Sequence, residues 1–196
     1  MSNARSSTRQ SGVAAVEFSL LAMVFFLVVF GAIEVARLMY MVNTLYDSTR
    51  RAAKEAALVS HRNEDELSRI RQRALFRNTP GLLPFGAPIS DRNVRIDYLA
   101  LVRVGNAAPV MTPIPSTSLP FCPRENRRIC LLNPNASNCM RFVRVRICAD
   151  DGTSACNQAP YMSIAPFIPM PNRLPRATTI NVIESLGSLP EGTPCL

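Results

Sequence analysis

Tryptophan is absent from this chain of 196 residues, and histidine occurs only once, as His61. A single histidine cannot form the histidine pair of a zinc finger. Charged residues make up only 18% of the chain and apolar residues 47%. This balance excludes a chain that is disordered because of high charge and low hydrophobicity.

The first part of the chain also lacks proline and cysteine. All 16 prolines lie at or beyond Pro80, and all six cysteines lie at or beyond Cys122. Because proline breaks helices, a long stretch without it permits long helices, whereas frequent prolines favour short strands and loops. We therefore predict a boundary near Pro80 and Gly81.

A run without charge follows a short polar leader. Phe18–Ile33 contains no charged residue, and Val13–Ile33 contains a single carboxylate, that of Glu17. As a helix, these 21 residues would span about 31 Å, which matches a bilayer core of about 30 Å. The run predicts a transmembrane helix.

The pattern beyond this run is amphipathic, so we predict one helix over Val13–Val59. The apolar positions recur at spacings of three and four. They are Val35, Leu38, Met39, Val42, Leu45, Tyr46, Ala52, Ala53, Ala56 and Val59. The opposite, polar face carries Glu34, Arg37, Thr44, Ser48, Arg51 and Glu55. Glu34 with Arg37, and Arg51 with Glu55, have spacings at which opposite charges attract.

The remaining elements predict an α+β fold. A second helix is expected over Glu64–Phe76, with Asn63 as its N-cap. Strands are expected at 94–104, 143–147 and 178–183, where alternation indicates an antiparallel sheet with one wet face.

Proline-rich stretches separate these strands, and Pro109–Pro123 and Pro160–Pro175 predict long loops. The expected organisation is a leader over 1–12, a transmembrane and stalk helix over 13–59, a second helix over 60–79, and a loop-rich antiparallel-sheet domain over 80–196.

The cysteines predict disulfides rather than a metal site. They are Cys122, Cys130, Cys139, Cys148, Cys156 and Cys195. No pair has the C-x-x-C spacing of a zinc ribbon. An even number in a loop-rich region beyond a membrane segment favours disulfides in an oxidising compartment. Free buried cysteines remain the alternative, and six cysteines allow fifteen pairings, so the connectivity stays open.

No sequence motif predicts catalysis, a cofactor or a metal. G-x-S-x-G, the P-loop and H-E-x-x-H are all missing. Asp150 and Asp151 precede Gly152, which is typical of a turn rather than of a catalytic carboxylate pair. We expect no enzymatic activity.

The formal charge of +8 raises the question of nucleic-acid binding. Arginines cluster at 69–77 and 124–128, but aromatic residues make up only 7% and show no stacking pattern. A solvated face, or contact with anionic lipid or polysaccharide, explains these arginines better. We therefore expect no nucleic-acid partner.

The most specific feature is the junction between the leader and the apolar run. A short basic leader ends at Gly12, and Glu17 follows five residues later, inside the run. An ionisable side chain in a membrane segment is costly and is a functional candidate by default. Arg5 and Arg9 precede the run and Arg37 follows it, so the distribution of charge does not decide the orientation.

Glycine followed by glutamate at the fifth position resembles a type IV prepilin processing site. Residues 12–58 resemble the TadE-like pseudopilins of the tight-adherence, or Flp, pilus system. The matching features are Ala15-Val16-Glu17-Phe18, Gly31-Ala32-Ile33-Glu34, Arg37, Asn43-Thr44-Leu45 and the alanine-rich close Ala52 to Ala57. Many members carry proline where this chain has Met23, so the resemblance does not carry a helix kink over to this chain.

The resemblance implies a pilin-like fold and a specific role. A prepilin peptidase would cut after Gly12 on the cytoplasmic side, and the mature chain would begin at Val13. Glu17 and Phe18 would serve assembly, and the body of the protein would lie in the periplasm, anchored in membrane lipid of the bacterial inner membrane. The chain would act without a cofactor as a minor pilin that primes an adhesive pilus. Its partners would be the major pilin, other pseudopilins and the inner-membrane assembly platform.

Two other classes of protein remain open. The first is a membrane-anchored periplasmic binding or sensing domain that does not assemble, and an uncleaved Gly12 would favour it. The second is a secreted disulfide protein with an ordinary signal peptide, for which Gly31, Ala32 and Ala36 offer only a poor cleavage site.

Overall fold

The protein is described by a computed structural model that covers residues 11–153, 155–183 and 185–187. The chain forms two compact units. The first contains the residues up to Met39 together with Ser163–Met170, and the second contains Tyr40–Met162 and the residues from Pro171 onward.

A single long helix, α1, covers Ser11–Ala56. It contains no proline, and the two glycines within it, Gly12 and Gly31, are too few to interrupt it. The helix ends three residues before the predicted Val59. The amide of Leu58 bonds the carbonyl of Glu55 at 3.1 Å, a tighter turn that closes the helix end.

The second helix, α2, covers Glu64–Ala74 and begins as predicted. The side chain of Asn63 accepts a hydrogen bond from the amide of Glu66 at 3.1 Å, which confirms the N-cap. The helix ends two residues before the predicted Phe76, because Phe76 has a φ of 57° and leaves the helical conformation.

Four antiparallel strands form one sheet in the order β2-β1-β3-β4. β1 covers Val94–Val102, β2 Val110–Pro113, β3 Phe142–Ile147 and β4 Thr178–Val182. The three predicted strands and the α+β class are confirmed.

The alternation predicted for β3 is observed. Val143, Val145 and Ile147 are buried, while Arg144 and Arg146 lie on the other face. Both guanidinium groups bond the carboxylate of Asp97 on β1, at 3.2 and 2.6 Å. The arginine face is therefore partly covered rather than fully wet.

The expectation of a plain loop over Pro109–Pro123 is wrong. This stretch contains β2 and a 3-10 turn at Ser116–Ser118, and a third helix, α3, covers Pro123–Leu132. β2 is a short, exposed edge strand, so burial leaves no pattern in its sequence. Pro123 occupies the first turn of α3, where proline favours a helix instead of ending one.

The buried face of α1 in the second unit agrees only in part with the predicted one. Leu45, Ala52, Ala53 and Ala56 are buried as predicted. Tyr46 is exposed although it was expected on the apolar face, and so are Val35 and Met39 of the first unit. The buried positions of this part are Met41, Leu45, Ser48, Thr49, Ala52, Ala53 and Ala56. Most of these side chains are small, which lets the helix approach β4 closely. The hydroxyl groups of Thr49 and Thr179 lie 2.9 Å apart at this contact.

One of the two predicted ion pairs on α1 is also wrong. Arg51 bonds Asp47 at 2.8 Å, and Glu55 instead bonds Arg73 of α2 at 2.9 Å. The spacing of charges along one helix cannot reveal a partner that a second helix brings closer.

Candidate functional site

The predicted processing and assembly residues lie together at the start of α1. Gly12 is exposed, and apart from its own helix and its chain neighbours no atom of the described residues lies within 4 Å of the position that a Cβ would take. Val13 is 70% exposed, Phe18 is 72% exposed, and Glu17 is also exposed. Val13 and Glu17 are four residues apart and therefore share one face of the helix.

The apolar part of α1 presents large hydrophobic side chains on all sides. Its mean hydropathy reaches 2.6 over an 18-residue window, and none of that window is buried within the protein. A helix that is apolar all round and uncovered suggests a membrane anchor. The hydroxyl of Ser19 donates to the carbonyl of Ala15 at 2.7 Å, so this polar group has a partner within the helix, as a lipid environment requires.

An aromatic cluster marks the far end of the apolar run. The rings of Phe26 and Phe30 stack at 6.0 Å, and Phe25 meets Phe26 edge to face at 5.5 Å. Phe167, from the second segment of the first unit, meets Phe30 edge to face at 6.3 Å. The end of the run is therefore joined to a segment that is far away in the sequence.

Glu34 lies just beyond these aromatics and is only 1% exposed. Its carboxylate oxygens accept from the amide of Ile164 at 3.2 and 3.3 Å, and a guanidinium nitrogen of Arg37 lies 3.7 Å away. The prediction that Glu34 lies on the exposed polar face is wrong, although its pairing with Arg37 is confirmed. The sequence offered one signal: Glu34 is the first charge after the uncharged run.

Disulfides account for the cysteines that the structure describes. Cys130 bonds Cys139, Cys148 bonds Cys156, and Cys122 is also disulfide-bonded. Cys195 lies outside the described residues. The sequence left the pairing of the cysteines open. The structure shows that two of the bridges join cysteines that are close in the sequence, nine and eight residues apart.

No cluster of three or more histidine, cysteine, aspartate or glutamate side chains in the described residues is arranged to hold a metal ion. Asp151 has a structural role in a turn, as predicted. Its carboxylate accepts from the side-chain amide of Asn157 at 2.6 Å and from the amide of Thr153 at 3.1 Å. These hydrogen bonds, that from Asn157 first, lower the pKa of Asp151 to about 2.

Comparison with known proteins gives one match. Residues 12–54 match the family model described as "TadE-like protein". No significant match was found among curated proteins or among solved structures. The matched segment contains the leader junction, the apolar run, Glu34 and Arg37, and it ends before α2.

Proposed function

We propose that this protein is a minor pilin, or pseudopilin, that helps to initiate an adhesive pilus of the tight-adherence type. The observation that carries the proposal is the match of residues 12–54 to the TadE-like family, on a helix that is apolar and uncovered. The family associates the segment with a pilus, and its role there is structural rather than enzymatic. No cofactor enters the proposed mechanism.

Processing is the first step of the mechanism. A prepilin peptidase cuts after Gly12, so that Val13 becomes the new N-terminus. The exposure of Gly12 supports access by a peptidase. The apolar helix then holds the mature chain in the inner membrane, with the second unit in the periplasm.

Assembly is the second step, and Glu17 has the central role in it. Glu17 lies about 6 Å along the helix from Val13, and an ionised carboxylate at that depth is costly in lipid. In an assembly, the free amine of another subunit's Val13 pairs with Glu17, which neutralises both charges where the dielectric constant is low. Uncleaved chains lack this amine, so cleavage controls assembly. The exposure of Val13, Glu17 and Phe18 supports their availability to other pilus subunits.

The test compares Glu17→Gln with Glu17→Asp in a piliated strain. Glu17→Gln keeps the size of the side chain and removes its charge. We expect it to be inserted into the membrane and cleaved normally, but not to co-purify with the major pilin and the other subunits, and to abolish piliation. Glu17→Asp keeps the charge, and we expect it to retain piliation at least in part. N-terminal sequencing, co-purification and electron microscopy of the cells are the measurements.

Two results would contradict this mechanism. Full piliation by Glu17→Gln would refute the pairing of charges. A mature chain that begins at Met1 or Ser2, in cells with an active prepilin peptidase, would refute the processing step.

One feature favours the alternative of a periplasmic binding domain that does not assemble. A groove of about 800 Å³ lies between α3 and the end of β4, and Arg124, Arg127 and Arg141 line it. Three cationic side chains at one groove suit an anionic ligand. In that case the chain would remain uncleaved at Gly12 and would not co-purify with pilus subunits.

A further inference from the structure

The second segment of the first unit belongs to an unusually uncharged part of the chain. No charged residue occurs over residues 152–172, although 18% of the whole chain is charged. Within this part, Ser163–Met170 joins the first unit with the apolar helix. We call Ser163–Met170 the apolar tip.

The apolar tip is held against the end of the apolar run by two contacts. The amide of Ile164 donates to the carboxylate of Glu34, and the ring of Phe167 meets the ring of Phe30. Phe30 lies three residues before the end of the run at Ile33, so Phe167 is level with the last turn of the run. These contacts therefore fix the position of the tip along the axis of α1, beside Phe30 and Glu34.

Two large apolar side chains of the tip are exposed. Ile164 is 68% exposed and Phe167 is 64% exposed, while Ala165 between them is buried. An exposed apolar pair in a segment without charge is unfavourable in water and favourable at a lipid surface.

The backbone of the tip is also suited to an environment with little water. Pro166 and Pro169 have no N–H group, so they need no hydrogen-bond acceptor. The amide of Ile164 bonds Glu34, and the amide of Ile168 bonds the carbonyl of Ala165 at 3.0 Å. Four of the eight tip residues thus have no unsatisfied N–H group. This lowers the cost of placing the tip at the headgroup boundary, where water can satisfy the other amides.

We propose that the apolar tip is a second membrane contact, which inserts Ile164 and Phe167 into the boundary between headgroups and acyl chains beside α1. This inference rests on the proposed function, since it requires α1 to span the membrane. Phe30 lies about 4.5 Å inside the end of the run, which places Phe167 at that boundary. Glu34 holds the tip at this height, and its burial keeps the carboxylate away from lipid. We assign the bilayer as the partner of this surface, because the tip continues the uncovered apolar surface of α1.

The test uses the absence of tryptophan, which makes any introduced tryptophan the only one in the protein. The full chain is prepared as Phe167→Trp, Ile164→Trp, Phe30→Trp and Phe121→Trp. Phe121 is a matched control, because it is exposed but belongs to the second unit and packs on Arg62. Each variant is reconstituted at low density in vesicles whose lipids carry bromine either near the headgroup or near the bilayer centre. Bromine quenches tryptophan on contact.

We expect the tryptophan emission of Phe30→Trp, Phe167→Trp and Ile164→Trp to be quenched. In the two tip variants, bromine near the headgroup should quench more strongly than bromine near the bilayer centre. Phe121→Trp should keep its emission. Quenching of Phe30→Trp alone would overturn the inference and leave the membrane anchor intact. Absence of quenching in Phe30→Trp would overturn both the anchor and the inference.

A second measurement separates lipid from protein contact. If bromine does not quench the two tip variants, and their emission changes only when the major pilin and other pseudopilins are reconstituted with them, then the tip is a subunit interface and the inference is wrong. Quenching that is independent of these subunits supports the membrane contact.

Discussion

Glu17 and Glu34 lie on the same helix in different surroundings. Glu17 is exposed among apolar side chains, whereas Glu34 is buried and bonded to Ile164 and Arg37. The carboxylate of Glu17 is accessible to another molecule, whereas that of Glu34 joins two distant parts of its own chain. Substitution of Glu34 therefore tests the structure of the first unit, and substitution of Glu17 tests assembly.

His61 is the residue from which we expect a pH effect in the neutral range. Burial, and then the positive charge of Arg62, lower the pKa of His61. The ring of His61 meets that of Tyr98 edge to face at 5.7 Å, and Nδ1 is buried without a hydrogen-bond partner among the described residues. Protonation of His61 is thus disfavoured in the folded protein.

The direction of the effect follows from proton linkage. Below pH 6.5 the unfolded chain binds a proton at His61 more readily than the folded protein does, so the free energy of unfolding falls as the pH decreases through this range. Well above that pH, His61 is neutral in both states and no longer changes the free energy of unfolding. We expect the urea midpoint of the detergent-solubilised protein to decrease between pH 7.5 and 5.5. In His61→Gln this decrease should disappear, and a midpoint that rises on acidification of the original protein would contradict the prediction.

At the scale of elements, contacts with distant segments determine which face of each helix is buried. α2 buries Leu67, Ile70 and Ala74, and its N-terminus is capped by Asn63. α3 is held by Asn126, a buried side chain that bonds both the amide and the carbonyl of Met140, at 2.8 and 3.1 Å. Apolar packing holds α2 in place, and buried hydrogen bonds help to hold α3.

Ile70→Ala in α2 tests the contribution of this packing. Ile70 is fully buried, and we expect its truncation to lower the free energy of unfolding by about 2–5 kcal/mol, because it removes apolar contacts and leaves a cavity. Chemical denaturation followed by circular dichroism measures the change.

Arg69→Ala is the matched control on the same helix. It removes an exposed ion pair with Glu66 and should change the free energy of unfolding by less than about 1 kcal/mol. Equal effects of the two substitutions would show that α2 does not pack as described.

At the scale of the whole molecule, disulfides compensate for the long loops of the second unit. Cys130–Cys139 connects α3 to the segment before β3, and Cys148–Cys156 closes the loop that contains Asp151. A cross-link of this kind typically stabilises a fold by about 2–4 kcal/mol, mainly because it restricts the unfolded chain. We expect the unit to depend on an oxidising compartment.

Thiol counting tests this dependence. In protein exported to the periplasm and denatured without a reductant, the five described cysteines should not react with a thiol reagent. The same protein after reduction should react at these cysteines and unfold at a lower urea concentration. Five or six free thiols in the unreduced protein would refute the bridges and favour a cytoplasmic or metal-bound second unit.

Features with a local physical cause could be predicted from the sequence. The long helix follows from the absence of proline, the start of α2 from the cap at Asn63, and β3 from the strict alternation of valine and arginine. The roles of Gly12, Val13, Glu17 and Phe18 in processing and assembly stay predictions, which rest on the resemblance of one short motif. The sequence also indicated that residues 12–58 resemble the TadE-like family. The match of residues 12–54 to the TadE-like family agrees with that interpretation.

Tertiary structure alone decided the features that join distant residues. The contact of Thr49 with Thr179 and the bond of Glu34 to Ile164 each join residues 130 positions apart. No periodicity relates such residues. The sequence therefore predicted only part of the buried face of α1, missing Met41, Ser48 and Thr49, and did not predict the apolar tip. The edge strand β2 was missed for the same reason, because pairing with β1 stabilises it and its own side chains remain exposed. Local propensity was sufficient to predict α1, the start of α2 and β3, whereas contacts between distant elements stabilise β2 and determine which faces meet.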